Sequence, residues 1–328
     1  MMKTAYEWKS GFAQTAQNYI SLKKQTGMKF DHYERCLRHF DTFYYRNGFE
    51  GAVLTKEIVN DFIYDKNERP SSHNNKEIVM RDFANYLTDR GFRAYIAEVK
   101  TPRPHSKFIP YIFTDDETRR LFTAIDNYPQ TRFSYRNTVD PVLFRFLYGT
   151  GVRISEALNI VLNDVDTQTG IVTIRAAKNM KDRLLPMAWS LTTRIAAYME
   201  SFHKHNDDDM WLFPSCHDGH MGHMNKNTAY WHFRDYLLMA DIPHTTGVPR
   251  VHDFRHGLAV KCLKKWVLAG NDLTVMLPYL SAYMGHSNFQ ATQYYLRLTS
   301  DLYPEILKQV EAEFGYVIPE GGFEYDEI

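Results

Sequence analysis

Three prolines within ten residues, in TPRPHSKFIP at 101–110, set the first limit on this chain's fold. Each proline fixes its own φ and disfavours helix in the residue before it, and the stretch has no apolar period. It reads as an extended linker between two domains. A chain of 328 residues that is 44% hydrophobic is long enough to give each its own core.

Residues 1–100 read as a small all-helical domain. WKSGFAQTAQNYISLKKQ, DHYERCLRHFDTFYYRNG, LTKEIVNDFIYD and NKEIVMRDFANYLTDRG carry apolar residues at spacings of three and four. Gly48 and Gly91 close two of these helices, and Thr55 is placed to cap the third. Residues 111–328 read as mixed α+β. Thr114 to Glu117 match a capping box that opens a helix through Ile125. A helix from Pro141 to Tyr148 should end at Gly149, followed by a helix on RISEALNIVL. GIVTIRA (170–176) and RLLPM (183–187) flank the polar AKNMKD and predict a β-hairpin with a basic tip. Mostly helices follow, on LTTRIAAYMESF, NKNTAYWHFRDYLLMA, HDFRHGLAVKCLKKWV and around the tyrosine pair at 294–295. The fold class expected is mainly α with a small antiparallel β-sheet.

The N-terminus lacks an apolar stretch of signal-peptide length, and no run approaches the ~18 apolar residues of a membrane span. These features predict a cytoplasmic protein. Cys36, Cys216 and Cys262 form no CxxC pair, which argues against a disulfide framework or a thiolate zinc site. The formal net charge is zero, but it is unevenly spread: residues 1–110 hold 18 Lys and Arg against 13 Asp and Glu, and residues 301–328 hold one Lys against eight acids. A basic front and an acidic tail permit a polyanionic partner without requiring one.

Four stretches combine polar residues in ways that could carry chemistry: TGVRISEAL around Arg153, the hairpin tip with Lys178 and Lys181, VHDFRHGLA around His252 and Arg255, and MGHSNFQATQYY with His286 and Tyr295. Each alone has an ordinary structural explanation. Arg153 and Glu156 are spaced as a surface i,i+3 pair, hairpin lysines are commonly solvated, His252 is placed to cap a helix, and buried tyrosines usually pack.

In this order, GTGVRISEALNI, IRAAKNMKDRLLPM, VHDFRHGLAV and YMGHSNFQATQYY resemble the motifs of the tyrosine recombinases, the group of phage integrases, Xer-type recombinases and transposon-borne integrases. The helical front resembles that family's core-binding domain, so the resemblance covers the chain up to its acidic tail. It implies a site-specific recombinase acting on double-stranded DNA, with catalytic residues Arg153, Lys178, His252, Arg255, His286 and Tyr295. In the family a tyrosine attacks a phosphodiester, forms a 3'-phosphotyrosine and frees a 5'-hydroxyl, with no cofactor, metal or ATP. By resemblance Arg153 and Arg255 clamp the non-bridging oxygens, a task suited to permanently charged, bidentate groups. His252 assists deprotonation of Tyr295, a phenol of ordinary pKa about 10. His286 contacts the phosphate and Lys178 protonates the leaving oxygen. Adjacent helical residues point about 100° apart, so only one of Tyr294 and Tyr295 can face the phosphate. The family's nine-residue spacing from His286 selects Tyr295. Met284 and Val251 depart from the commonest pattern, and the tail GGFEYDEI has no counterpart. A homotetramer on DNA, with accessory DNA-binding proteins, is the assembly implied.

Three other readings compete. His252 and His256, four apart, resemble a zinc pair, and CHDGHMGHM (216–224) adds further histidines. Asp253, however, stands where a zincin has Glu, and Arg255 is a poor neighbour for a dication. The second stretch lacks ligand spacing and reads as a solvated loop. A type IB topoisomerase shares the chemistry on one strand at a time. A non-catalytic DNA-binding protein would share the helical front and basic hairpin but has no need of the catalytic set.

Overall fold

The computed structural model describes residues 6–26, 30–101, 110–131, 134–175, 182–217, 219–245, 248–285 and residue 295. The chain divides into two compact units, 1–108 and 109–328, and the division falls in the proline-rich stretch. Among the described residues, no helix is long and apolar enough to cross a membrane.

The first unit is built from α1 (Ala13–Gln25), α2 (Asp31–Arg46), α3 (Lys56–Ile63) and α4 (Pro70–Thr88). Its core is strongly aromatic: Phe12 packs edge-on against Tyr44 and Phe83, with Phe40 beside them. Thr55 caps α3 by accepting the N–H of Ile58. Helix α4 begins five residues before the expected Asn75. Pro70 occupies its first turn, where a missing N–H costs nothing and the fixed φ already suits a helix.

In the second unit the capping box forms as expected, with Thr114 and Glu117 bonding reciprocally at the start of α5 (Asp115–Asp126). Helix α6 runs Arg136–Thr150, so Pro141 lies inside it rather than at its start. Its first turn is held by tertiary bonds: Arg136 donates to the Tyr236 hydroxyl (2.9 Å) and to Asp235 (2.7 Å). The helix ends not at Gly149 but at Gly151, whose φ of +62° suits glycine.

The helix expected on RISEALNIVL is a single turn, α7 (Ile154–Ala157). The backbone then leaves to bond 208–212, with Leu162 N–H donating to Met210 O (3.0 Å) and Leu212 N–H to Ile160 O (2.8 Å). Strands β1 (Val165–Asp166), β2 (Ile171–Ile174) and β3 (Arg183–Pro186) form one antiparallel sheet in that order, the first of them unforeseen. Val172, Ile174 and Leu185 alternate into the core.

After α8 (Trp189–Phe202), the stretch read as a solvated loop is instead a second hairpin, β4 (Pro214–His217) and β5 (His220–His223). Buried Leu212 and Phe213 anchor its entry, and Gly219 turns it at φ +83°. Helices α9 (Lys226–Met239), α10 (Asp253–Leu268) and α11 (Leu273–Met284) complete the unit. A satellite apolar cluster of Ala259, Val260, Leu263, Leu277, Leu280 and Met284 joins α10 to α11, and Tyr295 packs into it.

Candidate active site

The site grows from the end of α6. At φ +62° Gly151 reverses the chain, and a Cβ there would lie 2.8 Å from a Leu258 methyl and 3.6 Å from the Arg255 Cα. Glycine therefore lets the α6 terminus approach α10 closely. The Gly151 carbonyl, freed by the turn, accepts from Arg255 Nη1 at 2.7 Å, and Arg255 Nη2 donates to Met284 O, at the end of α11, at 2.6 Å. One buried guanidinium thus ties three elements together through two carbonyls that helix ends leave without intrahelical partners.

Arg153 reaches the same place from the start of α7, with Nη2 donating to Gly285 O at 3.2 Å. A third arginine, Arg183 at the start of β3, packs against the same glycine, where a Cβ would meet its guanidinium at 2.9 Å. Gly285 itself sits at φ +65°. Three guanidiniums converge on the C-terminal end of α11, where the helix dipole and exposed carbonyls favour positive charge.

Glu156 offsets this charge. Its Oε1 accepts from Arg153 Nη1 (2.8 Å) and Arg183 Nη1 (3.3 Å), and its Oε2 from Arg183 Nη2 (2.8 Å) and the Arg153 backbone N–H (3.2 Å). Burial by itself would raise the Glu156 carboxyl, but Arg183 and Arg153 override it and hold it below the ordinary range. The expected i,i+3 pair exists, but as part of a largely buried hub rather than on a surface.

His252 stands at the N-cap of α10 but makes no side-chain capping bond. Burial, followed by the positive field of Arg255, Arg153 and Arg250, lowers its imidazole to about 4. His256, one turn on, meets His252 edge to face at 4.8 Å between ring centres, and its Nδ1 lies 3.2 Å from the Tyr295 hydroxyl. Burial, His252 and Arg255 lower it also to about 4. Both rings are therefore neutral at pH 7. Burial and Arg153 lower Arg255 to about 10, so it stays charged. The Asp253 carboxylate accepts the N–H of Arg250 at 2.6 Å.

Arg153, His252, Arg255 and Tyr295 are thus gathered from α7, α10 and the chain beyond α11. Lys178 and His286 lie outside the described residues, as do Lys181 and Tyr294. Sequence reasoning missed Arg183, which it read only as part of a strand, and saw His256 only as one of a metal-like pair. It also passed over the close approaches at Gly151 and Gly285.

A model of the phage integrase family matches residues 112–301, more than half of the chain and all of the site. The chain belongs to this family. Among curated relatives, y4rB of Sinorhizobium fredii, which carries a provisional integrase/recombinase name, is 29% identical over 92% of this chain and 98% of its own length. Tyrosine recombinase XerA of Thermococcus kodakarensis is 27% identical over 79% of this chain and 83% of its own. Among solved structures, XerH recombinase bound to its palindromic difH substrate, in a post-cleavage complex, superposes with a TM-score of 0.60 at 17% identity, covering 88% of this chain and 80% of that one. A lambda integrase dimer bound to a COC' core site gives 0.59 at 12% identity, covering 84% and 95%. These likenesses place the fold of this chain among those of the tyrosine recombinases.

Proposed function

We propose that this tyrosine recombinase cleaves and rejoins double-stranded DNA at a specific site through a 3'-phosphotyrosine on Tyr295, without metal or ATP. The observation that carries the reading is the placement of the Tyr295 hydroxyl on α10, the helix that also bears His252 and Arg255, with Arg153 converging on its neighbour. Solved relatives bound to DNA support the choice of substrate.

In this reading the Tyr295 oxygen bonds to phosphorus as the bond to the 5'-oxygen breaks. Arg153 and Arg255 stabilise charge on the non-bridging oxygens with His286 at the phosphate, His252 assists deprotonation of Tyr295, and Lys178 gives the leaving 5'-oxygen its proton. The phosphotyrosine conserves the bond energy for rejoining. Residues 1–100 act as a core-binding domain that adds phosphate contacts, and four protomers assemble for strand exchange, with accessory DNA-binding proteins as further partners.

A nicked duplex that traps the covalent product tests the reading. Adduct surviving denaturation should form at an unchanged rate in EDTA, because arginines supply the charge stabilisation. Loss of adduct on chelation, restored by zinc, would favour the His252/His256 metal reading instead. The same assay tests Lys178. Lys178→Ala should slow cleavage by about 10²-fold or more, and a substrate with sulfur as the 5'-bridging atom, which leaves without a proton, should largely remove that defect. Arg153→Ala should stay slow on both substrates. Rescue of Lys181→Ala alone would move the role to the other lysine.

A further inference from the structure

Among the described residues, His256 is in hydrogen-bond contact with the Tyr295 hydroxyl, and the family's catalytic set as carried onto this sequence does not include it. The contact spans 39 residues of sequence, joining the second turn of α10 to the chain beyond α11. Both partners are held: Tyr295 by the cluster of Ala259, Leu263, Leu277 and Met284, and His256 by its edge-to-face contact with His252.

We propose that His256 orients the Tyr295 hydroxyl and accepts its proton during attack. The inference rests on Tyr295 being the nucleophile. As the Tyr295 oxygen bonds to phosphorus and the phosphorus–5'-oxygen bond breaks, the phenolic O–H pair stays on oxygen and the proton passes to His256 Nδ1, leaving an imidazolium. This assignment makes the hydroxyl the donor and gives His256 the Nε2–H tautomer. A neutral ring at pH 7 is available to accept. Among the described residues, His252 and Arg255 on α10 act on it directly and Tyr295 touches it, while Arg250, Arg153 and Glu156 act on His252, and Arg153, Glu156 and Arg183 on Arg255. Burial is the larger cause of the low basicity of both imidazoles, and a DNA phosphate among the arginines would offset only the smaller part that their positive field adds, making His256 somewhat more basic when substrate is bound. The resemblance gives this proton to His252, but that ring meets the hydroxyl only through its contact with His256, so the role passes to His256.

Single-turnover adduct formation on the nicked duplex tests this with the full-length protein. His256→Ala should bind DNA within about twofold of wild type yet form adduct about 10²-fold more slowly, the usual scale of a lost proton acceptor. Added imidazole should restore much of the rate, and the residual rate should rise more steeply with pH than that of wild type. A purely packing role predicts neither response. His256→Asn is smaller than the ring but keeps an acceptor near Nδ1; it takes up no proton at neutral pH, and should remain at least about tenfold slow. Either variant cleaving within about threefold of wild type, or an Ala defect indifferent to imidazole and pH, would overturn the proposal while leaving Tyr295 as nucleophile. Adduct formation by Tyr295→Phe would remove the reading beneath it.

Discussion

Tyr295→Phe should form no covalent adduct with a nicked DNA duplex, whereas Tyr294→Phe should form it at a measurable rate. The change deletes one oxygen and leaves the ring, so the apolar packing against Leu263, Leu277 and Met284 persists. Loss of the bond to His256 costs about 1 kcal/mol of stability, too little to unfold the protein. DNA binding should accordingly survive while chemistry disappears. Denaturing electrophoresis of labelled DNA reads the outcome directly. A Tyr295→Phe protein that still retains labelled DNA through denaturation would place the nucleophile elsewhere in the chain.

Glu156→Ala should destabilise the second unit by about 3–5 kcal/mol, the scale for removing one partner of a buried ion pair. Its carboxylate bonds two guanidiniums, and without it Arg153 and Arg183 face each other and Arg255 uncompensated. Denaturant midpoints measure the loss, and a change below about 1 kcal/mol would show that solvent screens these arginines effectively. Adduct formation should also fall, because Arg153 keeps its bond to the Gly285 carbonyl but loses the one to Glu156 that helps fix its side chain. Glu156→Gln keeps hydrogen-bonding capacity without charge and should cost less.

The same carboxylate gives the sign of an acid dependence. Glu156 titrates below its ordinary value of 4.5 in the folded chain, so its contribution is present above that pH and is lost as the pH falls through the lower folded value. The stability gap between wild type and Glu156→Gln should therefore narrow below pH 4.5. A gap independent of pH across that range would show that the carboxylate is not held by the two arginines.

What the sequence determined by itself was whatever neighbouring residues decide among themselves. Thr55 and the Thr114–Glu117 box cap their helices because donor and acceptor lie within one turn, and β2 pairs with β3 because alternating Val172, Ile174 and Leu185 match the pleat. The order of the motifs likewise disclosed the family. The limits of α6 were not legible, because its first turn depends on bonds from Arg136 to residues about a hundred positions away. The hairpin at 214–223 looked like a loop because buried Leu212 and Phe213, not its own polar residues, hold it in place.

The site divides in the same way. Sequence named Arg153, His252, Arg255 and Tyr295 by resemblance, but only the packing of α6, α10 and α11 brings Arg153 to Gly285 across 132 residues. Only that packing makes Arg183 a second partner of Glu156 and puts His256, rather than His252, against the Tyr295 hydroxyl. Spacing along a helix tells which side chains share a face. Which distant atom that face meets depends on how closely Gly151 and Gly285 let the helix ends approach, and that is settled only when the core closes.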